Sequence, residues 1–172
     1  MDISQLMDER AAKDDFFATS HQSPLDHGDR HVFSGLAYFE PRPDLVFTVP
    51  VAPGDGSKVT IQTSDGQERV YQRAARVKLL AGGEDIELTL YSTGHPGLFL
   101  PFRDTTSGKT TYGAGRYLDI DPNEDETVTI DFNRAYNPYC AYNDAYSCPL
   151  PPIENWLQVP IEAGEKDYAA AS

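Results

Sequence analysis

Between Arg103 and Asn143 the chain gathers a high density of groups able to hold charge or move a proton. Arg103 and Arg116 carry planar guanidinium forks, suited to gripping a carboxylate or phosphate through two parallel hydrogen bonds. Asn133, Tyr136, Asn137 and Tyr142 both donate and accept, and Tyr112 adds a further phenol. One use of this set is a site for a small polar or anionic ligand, oriented by Arg103, Tyr112, Arg116, Asn133, Tyr136, Asn137 and Tyr142. A second is acid–base catalysis of the hydrolase or lyase kind, with Asp104 or Asp131 as base, Tyr112 as acid and an arginine stabilising charge. A third is structural, because buried charges must be paired. Arg103 with Asp104, and Arg116 with Asp119, then neutralise one another in a hydrogen-bonded corner, and function resides in an interaction surface.

Familiar phosphate motifs fail on spacing. Gly108-Lys109-Thr110 lacks the glycine five residues earlier that a phosphate loop needs, since Arg103 stands there, and strand-like residues follow instead of a helix. Ser107-Gly108-Lys109 reads as a hairpin turn. Gly113-Ala114-Gly115 has Leu118 where a dinucleotide fingerprint needs glycine. Cys140 and Cys148 are too far apart in sequence for a zinc knuckle and read as buried thiols. Cys140 as a nucleophile requires a base, with Asn137 or a distant histidine as the available helpers. A metal site requires His21, His27 or His31 to fold back; His27-Gly28-Asp29-Arg30-His31 reads as a solvated loop in which Gly28 denies the imidazoles a fixed geometry. No metal is expected, and no cofactor is specified.

The elements that must position these groups are mainly β. Asp2, with Gln5 three residues on, predicts a helix over 2–18 whose apolar face carries Ile3, Leu6, Met7 and Phe17, with Arg10 beside them. Ser20 to Arg30 reads as irregular. From Phe33 the period becomes two: Leu36–Phe39, Leu45–Val51, Val59–Ile61, then Tyr71–Leu79 after the Asp65-Gly66 hairpin signal. Ala81-Gly82-Gly83 turns the chain, and Ile86–Leu90, Leu98–Phe102 and Val128–Phe132 continue the alternation. The prediction is one β-rich α+β domain over 1–172, with an antiparallel meander over 33–132 closing into a barrel or half-open sandwich. Residues 133–160 hold five prolines, four tyrosines and Trp156, and read as an ordered Pro/Tyr-rich loop capping one end of the sheet.

Charge and hydropathy bound the partners. With 27 Asp and Glu against 14 Lys and Arg in 172 residues, the net charge of −13 repels phosphate backbones and anionic lipid. Nucleic acid and membrane are therefore not expected. The N-terminus lacks the basic start and apolar stretch of a signal peptide, which points to the cytoplasm. Five lysines against this acidic excess suit a high-salt interior, where screening removes self-repulsion; an ordinary acidic bacterial protein is the other reading.

Several strings carry a family resemblance. They include Phe33-Ser34-Gly35-Leu36, Pro101-Phe102-Arg103-Asp104, Thr111-Tyr112-Gly113-Ala114-Gly115-Arg116-Tyr117-Leu118, Asp131-Phe132-Asn133-Arg134-Ala135-Tyr136-Asn137-Pro138, Cys148-Pro149-Leu150-Pro151-Pro152 and Ile161-Glu162-Ala163-Gly164-Glu165. In these the chain resembles the bacterial and archaeal family catalogued as domain of unknown function 1684. The resemblance implies a lone compact unit with its signature over 101–152. It implies no substrate.

Overall fold

The Asp2 carboxylate accepts the Gln5 N–H at 2.9 Å and so starts α1 (Ile3–Thr19). Only Leu6, Arg10 and Phe17 of this helix are buried, whereas Ile3 and Met7 stay 48% and 49% exposed, so the buried stripe is narrower than the apolar pattern predicts. Arg10 fits there because its guanidinium donates to the Phe39 and Asn133 carbonyls, at 3.1 and 3.2 Å, while stacking over the Tyr38 ring. A second helix, α2 (His27–Val32), forms where sequence predicts irregular chain. Asp26 caps it by accepting the Asp29 N–H at 2.9 Å, and this offsets the entropy cost of Gly28.

The computed structural model describes residues 1–168, mainly β with antiparallel sheets. The larger sheet contains β2 (Ala52–Pro53), β3 (Lys58–Gln62), β4 (Glu68–Ala81), β5 (Glu84–Ser92), β6 (Leu98–Phe102) and β7 (Arg116–Ile120). Its order is β2-β4-β5-β6-β7, with β3 also on β4. The smaller sheet pairs β1 (Val46–Pro50) with β8 (Thr127–Asp131). Between β4 and β5 the chain reverses at Gly82 and Gly83, whose φ of 60° and 79° are accessible to glycine at no steric cost. Among the described residues the strand ladder does not close into a barrel.

Alternation sorts the large sheet's side chains. Ala75, Val77, Leu79, Leu88, Leu90, Leu100 and Leu118 face a core completed by Val128 and Ile130 of β8 and by Leu157, Val159, Ile161 and Ala163. On the other face, Ile61, Tyr71 and Tyr91 cluster with Val59 and Phe99. One strand expectation is corrected, and one strand forms where none is expected. Leu36–Phe39 makes only one bridge, Tyr38 to Glu165, because its partner segment turns away at Gly164. Conversely β7 forms without a polar-apolar alternation, since Arg116, Tyr117 and Leu118 are buried on both faces.

Residues 133–160 contain short 3₁₀ turns at Tyr139–Ala141 and Ile153–Asn155. Asn155 anchors the second turn. Its fully buried amide accepts the Thr89 N–H at 2.9 Å and donates to the Thr89 and Pro101 carbonyls at 2.9 and 3.0 Å, joining β5 to β6. Tyr117 and Tyr136 exchange both main-chain hydrogen bonds, at 2.8 and 3.0 Å, which fastens the loop to β7.

Candidate functional site

Arg116 is 1% exposed and faces the core side of β7. Its Nη2 donates to Asp104 Oδ2 at 3.2 Å and to the Ile161 carbonyl at 2.8 Å, while Nη1 takes the Ala163 and Glu165 carbonyls. Asp104 completes the node by accepting the Ile161 N–H at 2.6 Å and the Thr106 hydroxyl at 2.7 Å. Burial lowers the Arg116 pKa, and Asp104 opposes that shift. This arrangement pins the segment 161–165. Arg116 pairs with Asp104 and not with Asp119, because residues three apart in a strand point to opposite faces. Gly115 (φ 103°) permits the approach, since a Cβ there would lie 2.6 Å from the Phe102 carbonyl oxygen. Arg103 lies over the Trp156 ring, 4.5 Å from its centroid.

The remaining candidates divide among three neighbourhoods. Asn133 is buried; it accepts the Arg42 N–H at 2.7 Å and donates to the Arg42 carbonyl and to Asp131. Asp131 caps the turn at Phe132–Arg134 and pairs with Arg134. Asn137 donates to the Lys166 carbonyl at 2.9 Å, and the Tyr142 hydroxyl donates to Glu165 at 2.5 Å. Glu165, 2% exposed and also paired with Lys13, is the hub of that group. Sequence patterning does not single out Glu165, although it closes the last string of the family resemblance. Tyr112 instead meets Cys140, its hydroxyl 3.5 Å from the sulfur. Asp104, Tyr112 and Asp131 thus each serve a different set of partners.

The open space lies on the other face of β7. A cleft of about 850 Å³ has Tyr71, Phe99 and Tyr117 as its floor, with Tyr136, Tyr139 and Tyr146 among its walls. Phe99 pairs directly with Asp119 across β6 and β7, and Tyr117 lies two residues along, so strand alternation aims all three into the cleft. The rings meet edge to face: Tyr71–Phe99 at 6.0 Å, Phe99–Tyr117 at 4.7 Å, Tyr117–Tyr136 at 5.7 Å and Tyr139–Tyr146 at 5.2 Å. Two hydrogen bonds set the rings. The Tyr117 hydroxyl donates to the Pro149 carbonyl at 2.5 Å, and that of Tyr136 donates to Asp119 at 2.7 Å. Burial raises both phenols, further helped at Tyr136 by Asp119, so both remain neutral at physiological pH.

Around the rim stand Lys13, Arg69 and His95, opposed by Asp119 and Asp121. Arg69 spends one donor on the Ser147 carbonyl, at 2.8 Å, and among the described residues keeps the rest of its fork. Of the seven residues predicted to bind a ligand, Tyr136 lines this cleft. It also borders a second hollow of about 290 Å³ beneath α1, together with Arg10, Asp131, Asn133 and Glu165. Phe99, Tyr117, Arg69 and His95 escape a motif search. The available signal is the aromatic phase of β6 and β7, Phe99 and Tyr117 alternating with Leu98, Leu100 and Leu118.

His27 and His31, expected in a solvated loop, instead share one face of α2 with their Nε2 atoms 3.1 Å apart. Among the described residues no group of three or more His, Cys, Asp or Glu side chains could hold a metal ion. Nor is any helix among them long and apolar enough to cross a membrane.

An uncharacterized protein of Haloarcula marismortui, solved by solution NMR, superimposes with a TM-score of 0.73 at 38% sequence identity, covering 95% of this chain and 92% of that one. No curated protein matches. The family model described as "Protein of unknown function (DUF1684)" matches residues 31–166, a span that contains β1 to β8, the Arg116 node and most of the cleft lining, and the chain belongs to that family.

Proposed function

We propose that the domain, a half-open sandwich, binds a small ring-bearing molecule with an anionic substituent in the tyrosine-lined cleft. The observation that carries this reading is the convergence of six aromatic side chains on one cleft of about 850 Å³, a volume in the usual range for small-molecule sites. Tyrosines offer broad apolar area with few rotatable bonds and a polar tip, so they hold a ring at low entropic cost. Arg69 supplies the anion's partner through its free donors, and Asp121 rejects a second negative group. The test is a titration of isotopically labelled protein with phenyl phosphate, benzoate and benzyl alcohol, followed by amide shifts. Support consists of saturable shifts confined to β6, β7 and residues 136–149, larger for the anions. Absence of saturable shifts at millimolar probe, or shifts scattered over the surface, overturns the reading.

The two free thiols, Cys140 and Cys148, suit the reducing cytoplasm in which we place the protein. Its net charge of −13 and its relative in Haloarcula marismortui support a high-salt interior. Screening then offsets self-repulsion, and the urea midpoint is expected to rise steadily from 0.1 to 2 M KCl, after correction for the salt effect on an uncharged reference protein. A flat response rejects the salt reading.

A further inference from the structure

Cys140 and Cys148 are brought together by the arch that carries Tyr142 and Tyr146. The Cys140 N–H donates to the Cys148 sulfur at 3.3 Å, and the Tyr112 hydroxyl lies 3.5 Å from the Cys140 sulfur. The two residues are 8% and 7% exposed, too enclosed for a bulky oxidant, and Cys148 lines the cleft, which sets the pair at the edge of open space and limits the oxidant to the size of hydrogen peroxide. We propose that Cys140 and Cys148 are a redox modification site, oxidised by hydrogen peroxide to an intramolecular disulfide with Cys140 as the attacking sulfur and Tyr112 as its positioning residue.

The groups around Cys140 favour this assignment. Its pKa is drawn down to about 6, first by the Cys148 thiol and then, against burial, by the hydroxyls of Tyr112 and Ser64. Cys148 moves upward, chiefly because its proton is held by the Cys140 sulfur, with burial adding to the shift. Arg69 and Asp144 are the charged side chains acting on Cys148 and Tyr112 respectively. The pair therefore presents one thiolate and one thiol near neutrality, and the thiolate is the nucleophile.

The reaction balances in two steps. The Cys140 thiolate attacks one peroxide oxygen; the O–O bond breaks, a sulfenic acid forms, and the departing hydroxide takes a solvent proton to become water. The Cys148 sulfur then attacks the sulfenic sulfur. The S–O bond breaks, and its hydroxyl leaves with the Cys148 proton as a second water. Two thiols are oxidised while one peroxide is reduced. Once Cys140 has lost its negative charge, the larger of the two influences that held the Cys148 proton is gone, burial alone remains, and the departing hydroxyl is itself the acceptor of that proton.

The experiment uses the full chain, reduced, desalted and exposed to hydrogen peroxide between pH 5 and 8, with denatured thiol counts and intact masses. It does not depend on whether the cleft holds a ligand. The wild type is expected to lose both thiols, with its mass falling by two hydrogens and no dimer forming. Cys148→Ser stops at a sulfenic acid captured by dimedone, and Cys140→Ser reacts at least tenfold more slowly. The wild-type rate rises through a midpoint about 6, and Tyr112→Phe moves that midpoint upward with the same final product. Thermal melts identify any variant that fails to fold, and the corresponding alanine variants replace it. Wild-type protein that keeps both thiols under conditions that oxidise free cysteine overturns the proposal. So do equal rates for the wild type and Cys140→Ser.

Discussion

The two faces of β7 solve opposite problems with adjacent residues. On one, Arg116 is sealed in the core, and its two terminal nitrogens make four hydrogen bonds, to Asp104 and to three main-chain carbonyls. On the other, Tyr117 makes one hydrogen bond through its hydroxyl and contributes to a cleft that four further tyrosines also line. A buried charge tolerates no vacancy, because each missing partner carries the full cost of desolvation. A phenol is satisfied by one bond and leaves its ring available. The Arg116 fork is thus occupied by the framework, whereas the aromatic face of β7 borders open space.

The sharpest way to break this contrast is Arg116→Ala, which strands Asp104 in the core and is expected to cost about 3–5 kcal/mol in urea unfolding. Adding Asp104→Ala should cost less than the two single effects summed, since the second change removes the stranded charge. A loss below about 1 kcal/mol for Arg116→Ala would sink the framework role. Next in size, Glu165→Gln weakens the bond from Tyr142 and ends the ion pair with Lys13, and is expected to cost about 1–3 kcal/mol by the same assay. Smallest on stability and most telling for the cleft is Tyr139→Ala with Tyr146→Ala. Tyr146 and Tyr139 are half-buried, Tyr139 at the margin of the Phe17 cluster, so the fold is expected to persist with a thermal melt as the check, while phenyl phosphate affinity falls about tenfold, or about 1.4 kcal/mol. Unchanged affinity would move recognition elsewhere.

Local chemistry made much of the fold legible. The Asp2 cap placed α1, and Asp65-Gly66 and Gly82-Gly83 placed the reversals around β4, because each acts within a few residues. The charge partners were not legible. Arg103 adjoins Asp104 and Arg116 lies three residues before Asp119, yet a strand's period sets Arg116 and Asp119 on opposite faces, and the segment after Leu157 brings Arg116 its carbonyl acceptors from far along the chain. α2 was hidden by Gly28, whose penalty is visible locally while the Asp26 cap that offsets it is easily read as one more loop residue. The cleft was hidden for another reason. Its aromatic residues look like core in a one-dimensional pattern, and only the loop over 136–149 shows that they border open space.

The reciprocal main-chain bonds between Tyr117 and Tyr136 carry one more consequence. β7 pairs with β6 on one side, and on the other Tyr136 forms an isolated bridge with Tyr117 instead of a continuous strand. Were that clasp to open, an unpaired edge would be left, a template on which a second molecule could lay its own β7 or β6. The bridge therefore covers the edge of β7 at Tyr117. On the function proposed above, a ligand that holds the loop closed would act as a chaperone for the chain, keeping the sheet from extending into its neighbours.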